Sequence, residues 1–459
     1  MQRRDRDPDD LPDLSEPEPE PGLTEALDAR ARDQGTVRRF ILRVVEGPDA
    51  GALATSDGDK LTIGTHPSSN FCLTDRTMSR FHCEIELGEG RALVRDLGSR
   101  NGTRVDGVMV KEAYLRKGAL IALGRNVISF ELADDRVSIP LYQEERFGLL
   151  CGRSPSMRAA FAKLARAAES DITVLLRGET GTGKDQAAES LHRLGPRRDK
   201  PFVVVDCGSL AGNLLETELF GHAKGAFTGA DRARVGAAES AHKGTLFLDE
   251  IGELDIELQP KLLRLLERRE VQRVGETRPV AVDVRVIAAT SRNLRVEVNA
   301  GRFRSDLYYR LAVMEVALPS LRERFEDLSL LVDSLLERSG VAPASAPTLR
   351  TPEFVARLAR HDWPGNVREL RNYVESCLAL ADQAPPPGVD ADPSGARGAP
   401  VVDPSQPFRA ARDRWLRWFE RRYLEELLRQ QGDNVSAAAR AAGVDRVYFH
   451  RLLRRVGLR

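Results

Sequence analysis

Between Arg38 and Leu132 the chain alternates apolar and polar residues with a period of two. The alternating runs are short and are separated by turns rich in Gly, Asp and Asn; they are Phe40–Val45, Lys60–Ile63, His82–Leu87, Ala92–Arg95 and Val127–Leu132. A period of two is that of a strand with one buried face. Runs at this spacing predict a β-sandwich over 37–133, followed by a connector over 134–148.

From Leu149 the pattern changes to apolar runs alternating with amphipathic helical segments. Predicted helices are Ser156–Ala165 and Lys184–Leu194, and predicted buried strands are Ile172–Leu176, Phe202–Asp206 and Lys243–Leu248. Strands that alternate with helices in this way predict a parallel sheet covered by helices. We expect this α/β domain to occupy 149–383.

The last part of the chain predicts a small all-α domain over 409–459. A linker over 384–408, with seven prolines and three glycines in 25 positions, precedes it. An amphipathic helix over Trp415–Gln431, a second helix from Asn434, a turn at Gly443–Asp445 and a basic helix over 446–455 form a helix-turn-helix pattern. Spacing turns Val447, Leu452 and Leu453 inward. The residues left to meet DNA are Arg446, Tyr448, His450, Arg451 and Arg454.

The net charge of this 459-residue chain is zero, but the charges are unevenly distributed. Residues 1–33 hold eleven acids and five arginines, and 409–459 hold thirteen arginines and six acids. The acidic, proline-rich start, 1–36, lacks the apolar residues of a core and is expected to be disordered. The basic end favours an anionic partner.

Five scattered cysteines without a CxxC pair indicate reduced thiols rather than a disulfide framework or a zinc site. The chain also lacks an apolar run of membrane-spanning length, and its first residues are unlike a signal peptide. We therefore expect a cytoplasmic protein with no membrane partner.

The turn between the predicted strand Ile172–Leu176 and the predicted helix Lys184–Leu194 has the spacing of a phosphate-binding loop. Glycines let backbone N–H groups curl around an anion, and the helix N-terminus adds partial positive charge. The lysine reaches the outer phosphates, and an aspartate stands where the general motif has Ser or Thr. The predicted nucleotide-binding residues are Gly178, Glu179, Thr180, Gly181, Thr182, Gly183, Lys184 and Asp185.

Two carboxylates, Asp249 and Glu250, follow the strand that ends near Leu248. Open α/β sheets place ligands at the carboxyl ends of their strands, beside such a loop. We expect Asp249 to hold magnesium and Glu250 to polarise the attacking water. The loop and this pair together predict a nucleotide-hydrolysing site that uses Mg²⁺.

Between these two motifs lies the hexapeptide Gly225-Ala226-Phe227-Thr228-Gly229-Ala230. Its phenylalanine has no apolar periodicity around it, and its glycines permit movement, so contact with another molecule is one interpretation and local burial is the other. The hexapeptide is identical to that of sigma-54-dependent bacterial enhancer-binding proteins, which are AAA+ ATPases. Further blocks of the chain resemble the same family, namely Gly178–Asp185, Phe303–Leu311, Leu318–Arg324 and Trp363–Leu370.

This resemblance implies a P-loop AAA+ domain that uses ATP and has a helical lid from about residue 320. It also implies a role for each of several residues. The hexapeptide residues would contact sigma-54 in the RNA polymerase holoenzyme. Arg304 and Arg310 would act as arginine fingers on a neighbouring subunit's nucleotide, which implies a homo-oligomer, a hexamer, and Arg368 would be the sensor arginine. The alternative for the two fingers is a surface ion pair around Asp306.

Asp206 departs from the family, which usually has asparagine at this strand end to link the catalytic glutamate to the sigma-contacting loop. An ionised aspartate accepts but does not donate a hydrogen bond, and it repels a nearby glutamate. We therefore expect Asp206 to be a switch residue that leaves the ATPase active but alters its coupling.

Three loops of the predicted sandwich resemble those of a forkhead-associated (FHA) domain, which binds phosphothreonine. They are Gly64–His66, Ser79–His82 and Gly98–Thr103. By resemblance Ser79 and Arg80 bind phosphate, Asn101 holds the peptide backbone and His82 braces the loop. Thr65 replaces the family's arginine, which removes a charged contact. The partner would be a phosphothreonine protein or a Ser/Thr kinase; the alternative is a sandwich that only docks on the next domain.

The final helices resemble the Fis-type domain of the same activators, with enhancer DNA as the partner. The complete interpretation is a sigma-54-dependent activator with a signal-receiving sandwich, an ATPase ring and a DNA-binding end. Two alternatives remain: a DNA-tethered adaptor with a degenerate ATPase, and an ATPase that remodels something other than sigma-54.

Overall fold

A computed structural model describes residues 34–88, 91–209, 212–227, 230–340 and 346–379, and a discontinuous set between 420 and 453. The chain divides into two compact units, Met1–Ala379 and Leu380–Arg459. The predicted linker 384–408 and residues 1–33 of the predicted tail lie outside the described residues. So do Thr228, Gly229 and the five residues predicted to meet DNA.

The first part of the larger unit is a sandwich of two sheets. One sheet has the order β2-β1-β11-β10-β7-β8 and the other β4-β3-β5-β6-β9. The strands are β1 Gln34–Glu46, β2 Leu53–Thr55, β3 Lys60–Gly64, β4 Phe71–Cys72, β5 Cys83–Gly88, β6 Arg91–Asp96, β7 Thr103–Val105, β8 Val108–Val110, β9 Glu112–Leu115, β10 Leu120–Leu123 and β11 Asn126–Pro140. Phe40 and Phe130 meet in the core with ring centroids 5.6 Å apart, so the inward positions of the alternating pattern are the buried ones.

The sandwich is longer than predicted at both ends. β1 begins at Gln34, within the segment expected to be disordered, and pairs in register with Pro140 at the end of β11. The expected connector 134–148 therefore contains the last part of β11, and it also contains β12 Arg146–Phe147, which pairs with β13 Leu150–Cys151. Backbone pairing between residues about 100 positions apart supplies hydrogen bonds that a local pattern does not reveal.

The second part of the larger unit is built on a five-stranded parallel sheet of order β15-β18-β21-β14-β22. Its strands are β14 Val174–Arg177, β15 Phe202–Asp206, β18 Thr245–Asp249, β21 Arg285–Thr290 and β22 Met314–Ala317. Two small hairpins lie outside it, β16 Gly221–His222 with β17 Arg234–Val235, and β19 Glu270–Val271 with β20 Val280–Ala281. β18 and β21 are buried on both faces almost throughout, as expected for central parallel strands.

Helices cover this sheet and form a lid after it. The helices are α1 Pro155–Ala168, α2 Lys184–Arg193, α3 Gly212–Phe220, α4 Ala237–Ser240, α5 Gln259–Arg268, α6 Leu294–Asn299, α7 Ser305–Leu311, α8 Leu328–Arg338, α9 Pro352–Leu358 and α10 Asn366–Ala379. The last three belong to the lid. Its largest buried side chain is Trp363, whose Nε1 donates to Leu358 O at 2.9 Å. None of the described helices is both long and apolar enough to cross a bilayer.

In the smaller unit the described residues include α11 Val435–Ala441. Asn434 caps this helix, because its Oδ1 accepts from Ala437 N at 3.1 Å. Leu424, Leu428, Ala438, Phe449 and Leu453 form a buried cluster with their neighbours. This packing agrees with the predicted inward position of Leu453, and Leu452 is partly buried against the same cluster.

Candidate functional site

A cleft of about 770 Å³ lies between the parallel sheet and the lid. Its lining combines the loop after β14, the ends of β15 and β18, and side chains from the lid. Of the predicted nucleotide-site residues, those that line the cleft are Thr180, Gly181, Thr182, Gly183, Lys184, Asp185, Asp206, Asp249, Glu250 and Arg368. The fold thus gathers residues almost 190 positions apart around one space.

The loop after β14 is closed by its glycines. Gly181 has φ of 82°, and a Cβ there would lie 2.2 Å from the carbonyl oxygen of Gly365 in the lid. Glycine is therefore required, both by the backbone conformation and by the approach of the lid. Lys184, 5% exposed, donates from Nζ to Gly178 O at 3.1 Å and to Glu179 O at 3.3 Å.

Gly178 and Glu179 do not line the cleft, although both were predicted to bind nucleotide. The Glu179 carboxylate forms a two-point ion pair with Arg322 and accepts from Asn366 Nδ2 at 3.1 Å. The hydrogen bond from Arg322 lowers the pKa of Glu179. This glutamate ties the phosphate-loop backbone to the lid, and its backbone carbonyl holds Lys184 and the Thr182 hydroxyl.

The two predicted catalytic acids lie at the end of β18. Glu250 has φ of 47°, and its Oε1 lies 3.3 Å from Lys184 Nζ. Burial opposes its ionisation, but hydrogen bonds from Ser291 and the charge of Lys184 outweigh burial and lower the pKa of Glu250. Glu250 is therefore ionised and held in place at neutral pH, as a group that orients water must be.

Asp249 is in a different electrostatic state. Burial, followed by the negative charge of Asp185, raises the pKa of Asp249 to about 6. A carboxylate whose charge is disfavoured by burial and by a second acid, in a phosphate-loop cleft, fits the oxygen-donor chemistry of Mg²⁺. Among the described residues no group of three or more His, Cys, Asp or Glu side chains is placed to hold a metal alone, so phosphate oxygens and water would have to complete such a site.

Asp206 lines the same cleft but makes a local contact. Its Oδ1 accepts from Gly208 N at 2.8 Å, and the Ser209 hydroxyl donates to its backbone carbonyl. Glu250 instead accepts from Ser291, which lies after β21. Sequence reasoning missed Ser291, because a lone serine after a strand has no motif around it.

The lid contributes cations that sequence reasoning also missed. Three further arginines line the cleft with Arg368, namely Arg324, Arg338 and Arg371. Arg324 Nη2 donates to Thr182 O at 3.1 Å. Arginine clusters of this kind suit phosphate groups. Their positions could be anticipated only by knowing how the lid folds over the phosphate loop.

Arg304 and Arg310 lie away from the cleft of their own chain and are exposed. The Arg304 guanidinium pairs with Asp306 at 2.7 Å, which is the surface ion pair left open as an alternative for this residue. In the single chain, neither arginine reaches the nucleotide site.

The Gly225–Ala230 loop presents its aromatic ring to solvent. Phe227 is 47% exposed, and its only described ring neighbour is His222, 5.0 Å away between centroids. Gly225 N donates to Ala230 O at 2.8 Å, which closes the loop at its base. The interpretation of local burial is therefore not what the structure shows.

The three predicted phosphopeptide loops of the sandwich lie together. Ser79 Oγ accepts from Arg100 N at 2.9 Å, and Asn101 Nδ2 donates to Thr77 O at 2.6 Å. His82 is buried, its Nδ1 accepting from Ser79 N and its Nε2 lying 3.1 Å from Gly102 O. A Cβ at Gly64 would lie 2.0 Å from Arg80 O, so glycine is needed where the first two loops meet.

Comparison with protein families assigns most of the larger unit. The family described as the Sigma-54 interaction domain matches residues 150–317, and the AAA+ ATPase lid domain matches 322–386. The FHA domain family matches residues 61–124. The sandwich is thus an FHA domain, and the α/β part with its lid is an AAA+ domain.

Similar proteins share much of this chain. The transcriptional regulatory protein ZraR of Salmonella typhi is 42% identical over 67% of this chain and 68% of its own length. GlrR of Escherichia coli K12 is 42% identical over 71% and 72%. The anaerobic nitric oxide reductase transcription regulator NorR of Aeromonas salmonicida is 38% identical over 78% and 74%.

Solved structures give two further likenesses. NtrX from Brucella abortus in complex with ATP is 34% identical, over 68% of this chain and 70% of that one, with a TM-score of 0.48. An FHA domain studied for phosphothreonine-dependent interactions is 32% identical over 21% of this chain and 97% of that one, with a TM-score of 0.20.

Proposed function

This chain belongs to the sigma-54-dependent transcriptional activators, AAA+ ATPases that bind ATP, and from that premise we propose that hydrolysis in its cleft moves the Phe227 loop against sigma-54. Lys184, Asp249 and Glu250 would carry the chemistry. The exposure of Phe227 is the observation that supports this best. Its ring leaves apolar surface in water in the single chain, and contact with a partner would bury that surface.

Each residue of the cleft has a distinct task in this proposal. The backbone N–H groups of Thr180–Gly183 and the Lys184 ammonium bind the phosphates. Glu250, kept ionised beside Ser291, orients the attacking water. Arg368 would stabilise the phosphates from the lid and report their presence to it.

Mg²⁺ would be held by Asp249, with Asp185 nearby, and would neutralise charge on the phosphate oxygens. The raised pKa of Asp249 supports this assignment, because a cation relieves the repulsion that causes part of the shift.

The two exposed arginines would complete the site from a neighbouring copy. Arg304 and Arg310 lie outside their own cleft, and phosphoryl transfer gains from a guanidinium supplied in trans. A closed ring gives every copy the same interface, and a hexamer is our choice of ring.

The remaining parts would connect the ATPase to a signal and to DNA. The FHA domain would bind a phosphothreonine protein or a Ser/Thr kinase through Ser79, Arg80 and Asn101. The smaller unit would be a Fis-type helix-turn-helix that binds enhancer DNA through its basic helix. Its capped α11 and its apolar cluster are consistent with a compact helical domain.

Open-complex formation by sigma-54 RNA polymerase tests the central proposal. With ATP the full chain should open promoter DNA, and Phe227→Ala should abolish opening while ATP turnover stays within about twofold. Tyr114→Ala is a matched control, since Tyr114 is an aromatic residue of the FHA domain with 67% exposure. Opening by Phe227→Ala at the unmodified rate would disprove the contact. ATP turnover without any opening would instead favour another remodelling target.

A further inference from the structure

The three predicted phosphopeptide loops, here called the recognition face (Gly64–His66, Ser79–His82 and Gly98–Thr103), are turned toward the AAA+ domain. Phe81 lies in the second loop and Leu97 directly before the third, and both are fully buried. Neither packs into the core of the sandwich. Both belong to the apolar core that contains Leu307 and Leu311 of α7. Burial of these two apolar side chains therefore favours the docked arrangement.

Asn299, the last residue of α6, joins this corner of the AAA+ domain to two recognition loops. Its Nδ2 donates to Phe81 O at 2.5 Å and to Leu97 O at 2.9 Å, and its Oδ1 accepts from Phe81 N at 3.5 Å. One amide side chain thus satisfies backbone groups of the second loop and of the residue directly before the third. Buried backbone polar groups need such partners, so the contact is specific rather than incidental.

Helix α7 contacts three residues of the recognition face, namely His66, Arg80 and Phe81. Arg80 Nη1 donates to Ser305 Oγ at 3.4 Å, and the centroid of the Tyr309 ring lies 4.8 Å from that of the His66 ring. Ser305 and Tyr309 are four residues apart, so they share one side of the helix. Between them Tyr308 meets Phe81 edge-on at 5.4 Å.

A chain of charges continues the contact below the loops. The Glu84 side chain on β5 is 1% exposed, and its Oε2 lies 3.8 Å from Arg295 Nη1 of α6. Arg295 also pairs with Glu315 at 3.2 Å, and Glu315 pairs with Arg177, the residue before the phosphate loop. The FHA strand is thus connected electrostatically to the strand that carries the nucleotide site.

We propose that the α6–α7 corner and a phosphothreonine peptide are alternative ligands of the same recognition face, so that peptide binding requires the FHA domain to leave the segment that carries Arg304 and Arg310. This rests on the proposed phosphothreonine binding and adds its regulation. The first two loops contact α7 through His66 and Arg80, and Leu97, directly before the third loop, is held by Asn299 of α6. Arg80, expected to bind phosphate, is already engaged by Ser305.

Competition of this kind has a measurable consequence. When the binding-competent form is only a fraction of the population, the apparent dissociation constant rises by the inverse of that fraction. Substitutions on the AAA+ side that weaken docking should therefore tighten peptide binding without touching the peptide site. Asn299→Ala and Tyr309→Ala remove such contacts. Asn372→Ala is a matched control, because Asn372 is exposed on α10, in the lid.

The experiment measures binding of a fluorescent peptide mixture, with a central phosphothreonine and degenerate flanks, to the full-length chain, and uses the same mixture with threonine as reference. We expect affinity for the phosphorylated mixture to rise roughly threefold in each single variant and roughly tenfold in the double variant. Asn372→Ala should match the unmodified chain. In the unmodified chain, saturating peptide should also increase amide hydrogen exchange over residues 299–311.

The possible results separate this inference from the function on which it rests. Phosphopeptide binding with equal affinity in all variants, or with unchanged exchange over 299–311, overturns the competition and leaves phosphothreonine binding intact. Equal binding of the phosphorylated and unphosphorylated mixtures by every variant overturns phosphothreonine binding itself, and the inference with it. If Asn299→Ala does not fold, Tyr309→Ala carries the test, because Tyr309 is 43% exposed.

Discussion

The Glu250 carboxylate accepts two hydrogen bonds from Ser291, one from the backbone N–H and one from the hydroxyl, each at 2.9 Å. Asp206, at the end of β15, accepts from the backbone of Gly208 instead. The residue that holds Glu250 thus directly follows β21, which lies on the opposite side of β18 from the strand of Asp206.

Ser291→Ala should lower ATP turnover about tenfold, because a hydrogen bond to a charged group contributes roughly 1.5–3 kcal/mol. The backbone N–H of residue 291 would remain as a donor, so some activity should survive. Steady-state phosphate release by the full chain measures the change. Ser209→Ala provides the control, since Ser209 lines the same cleft but donates to Asp206 O. Equal turnover in the two variants would show that the Ser291 hydroxyl has no part in holding Glu250.

Asp206→Asn should change how ATP hydrolysis is coupled to promoter opening. The new amide group is a donor that competes with Ser291 for Glu250, so turnover without sigma-54 should fall at least about twofold while opening per ATP rises. The ratio of open complexes formed to ATP consumed is the measurement. Asp206→Ala, which adds no donor, should not raise that ratio. An unchanged ratio and turnover in Asp206→Asn would remove Asp206 from the switch.

ATP turnover should fall as the pH drops through about 6. Burial and the charge of Asp185 raise the pKa of Asp249 to about 6, so protonation below that pH removes the form that would hold Mg²⁺.

The raised pKa of Asp249 also changes the stability of the fold with pH, in the direction opposite to that of a salt-bridged acid, whose pKa is lowered. Below its ordinary pKa of 3.8, Asp249 is protonated in both the folded and the unfolded chain and does not affect stability. The fold loses stability as the pH rises from 3.8 to about 6, and above about 6 the full destabilisation from ionised Asp249 remains.

Asp185→Ser removes the second-largest cause of the raised pKa of Asp249 and should move the acidic limb of the turnover profile to lower pH, while burial keeps part of the shift. Rates at saturating ATP but subsaturating Mg²⁺, where the metal-free site titrates, measure it between about pH 5 and 8. Asp199→Ser, at a side chain 87% exposed, should leave the limb in place. An acidic limb that does not move in Asp185→Ser would mean that Asp249 does not limit turnover.

Mixing two inactive variants should restore ATP turnover if Arg304 acts on a neighbouring copy. Glu250→Gln and Arg304→Ala chains each lack one component of the site, but in mixed rings an intact Glu250 meets an intact Arg304 at some interfaces. Random equal mixing should recover about a quarter of the unmodified rate. Mixing Glu250→Gln with Lys184→Ala should recover less. Glu250 and Lys184 line the same cleft, so every cleft of the mixed ring lacks one of the two. No recovery in the first mixture would place Arg304 in its own cleft or in no cleft.

The phosphate loop, the Asp249-Glu250 pair and the Gly225–Ala230 hexapeptide are recognisable in the amino-acid sequence alone, because each is a local motif whose chemistry depends on residues close in sequence. The two main folds are predictable for the same reason, since side-chain period and glycine spacing are local properties. On that basis the family and the ATPase activity were predicted correctly.

Contacts between distant residues could be decided only by the tertiary structure. Ser291 reaches Glu250 from another strand, the lid places arginines over a loop about 140 residues earlier, and Asn299 meets Phe81 across 218 positions. The periodicity of apolar residues along the chain does not predict these contacts, because they depend on how whole layers of helices and strands pack. Local pattern therefore determined what kind of protein this is, whereas packing decided which loops of the FHA domain face its ATPase.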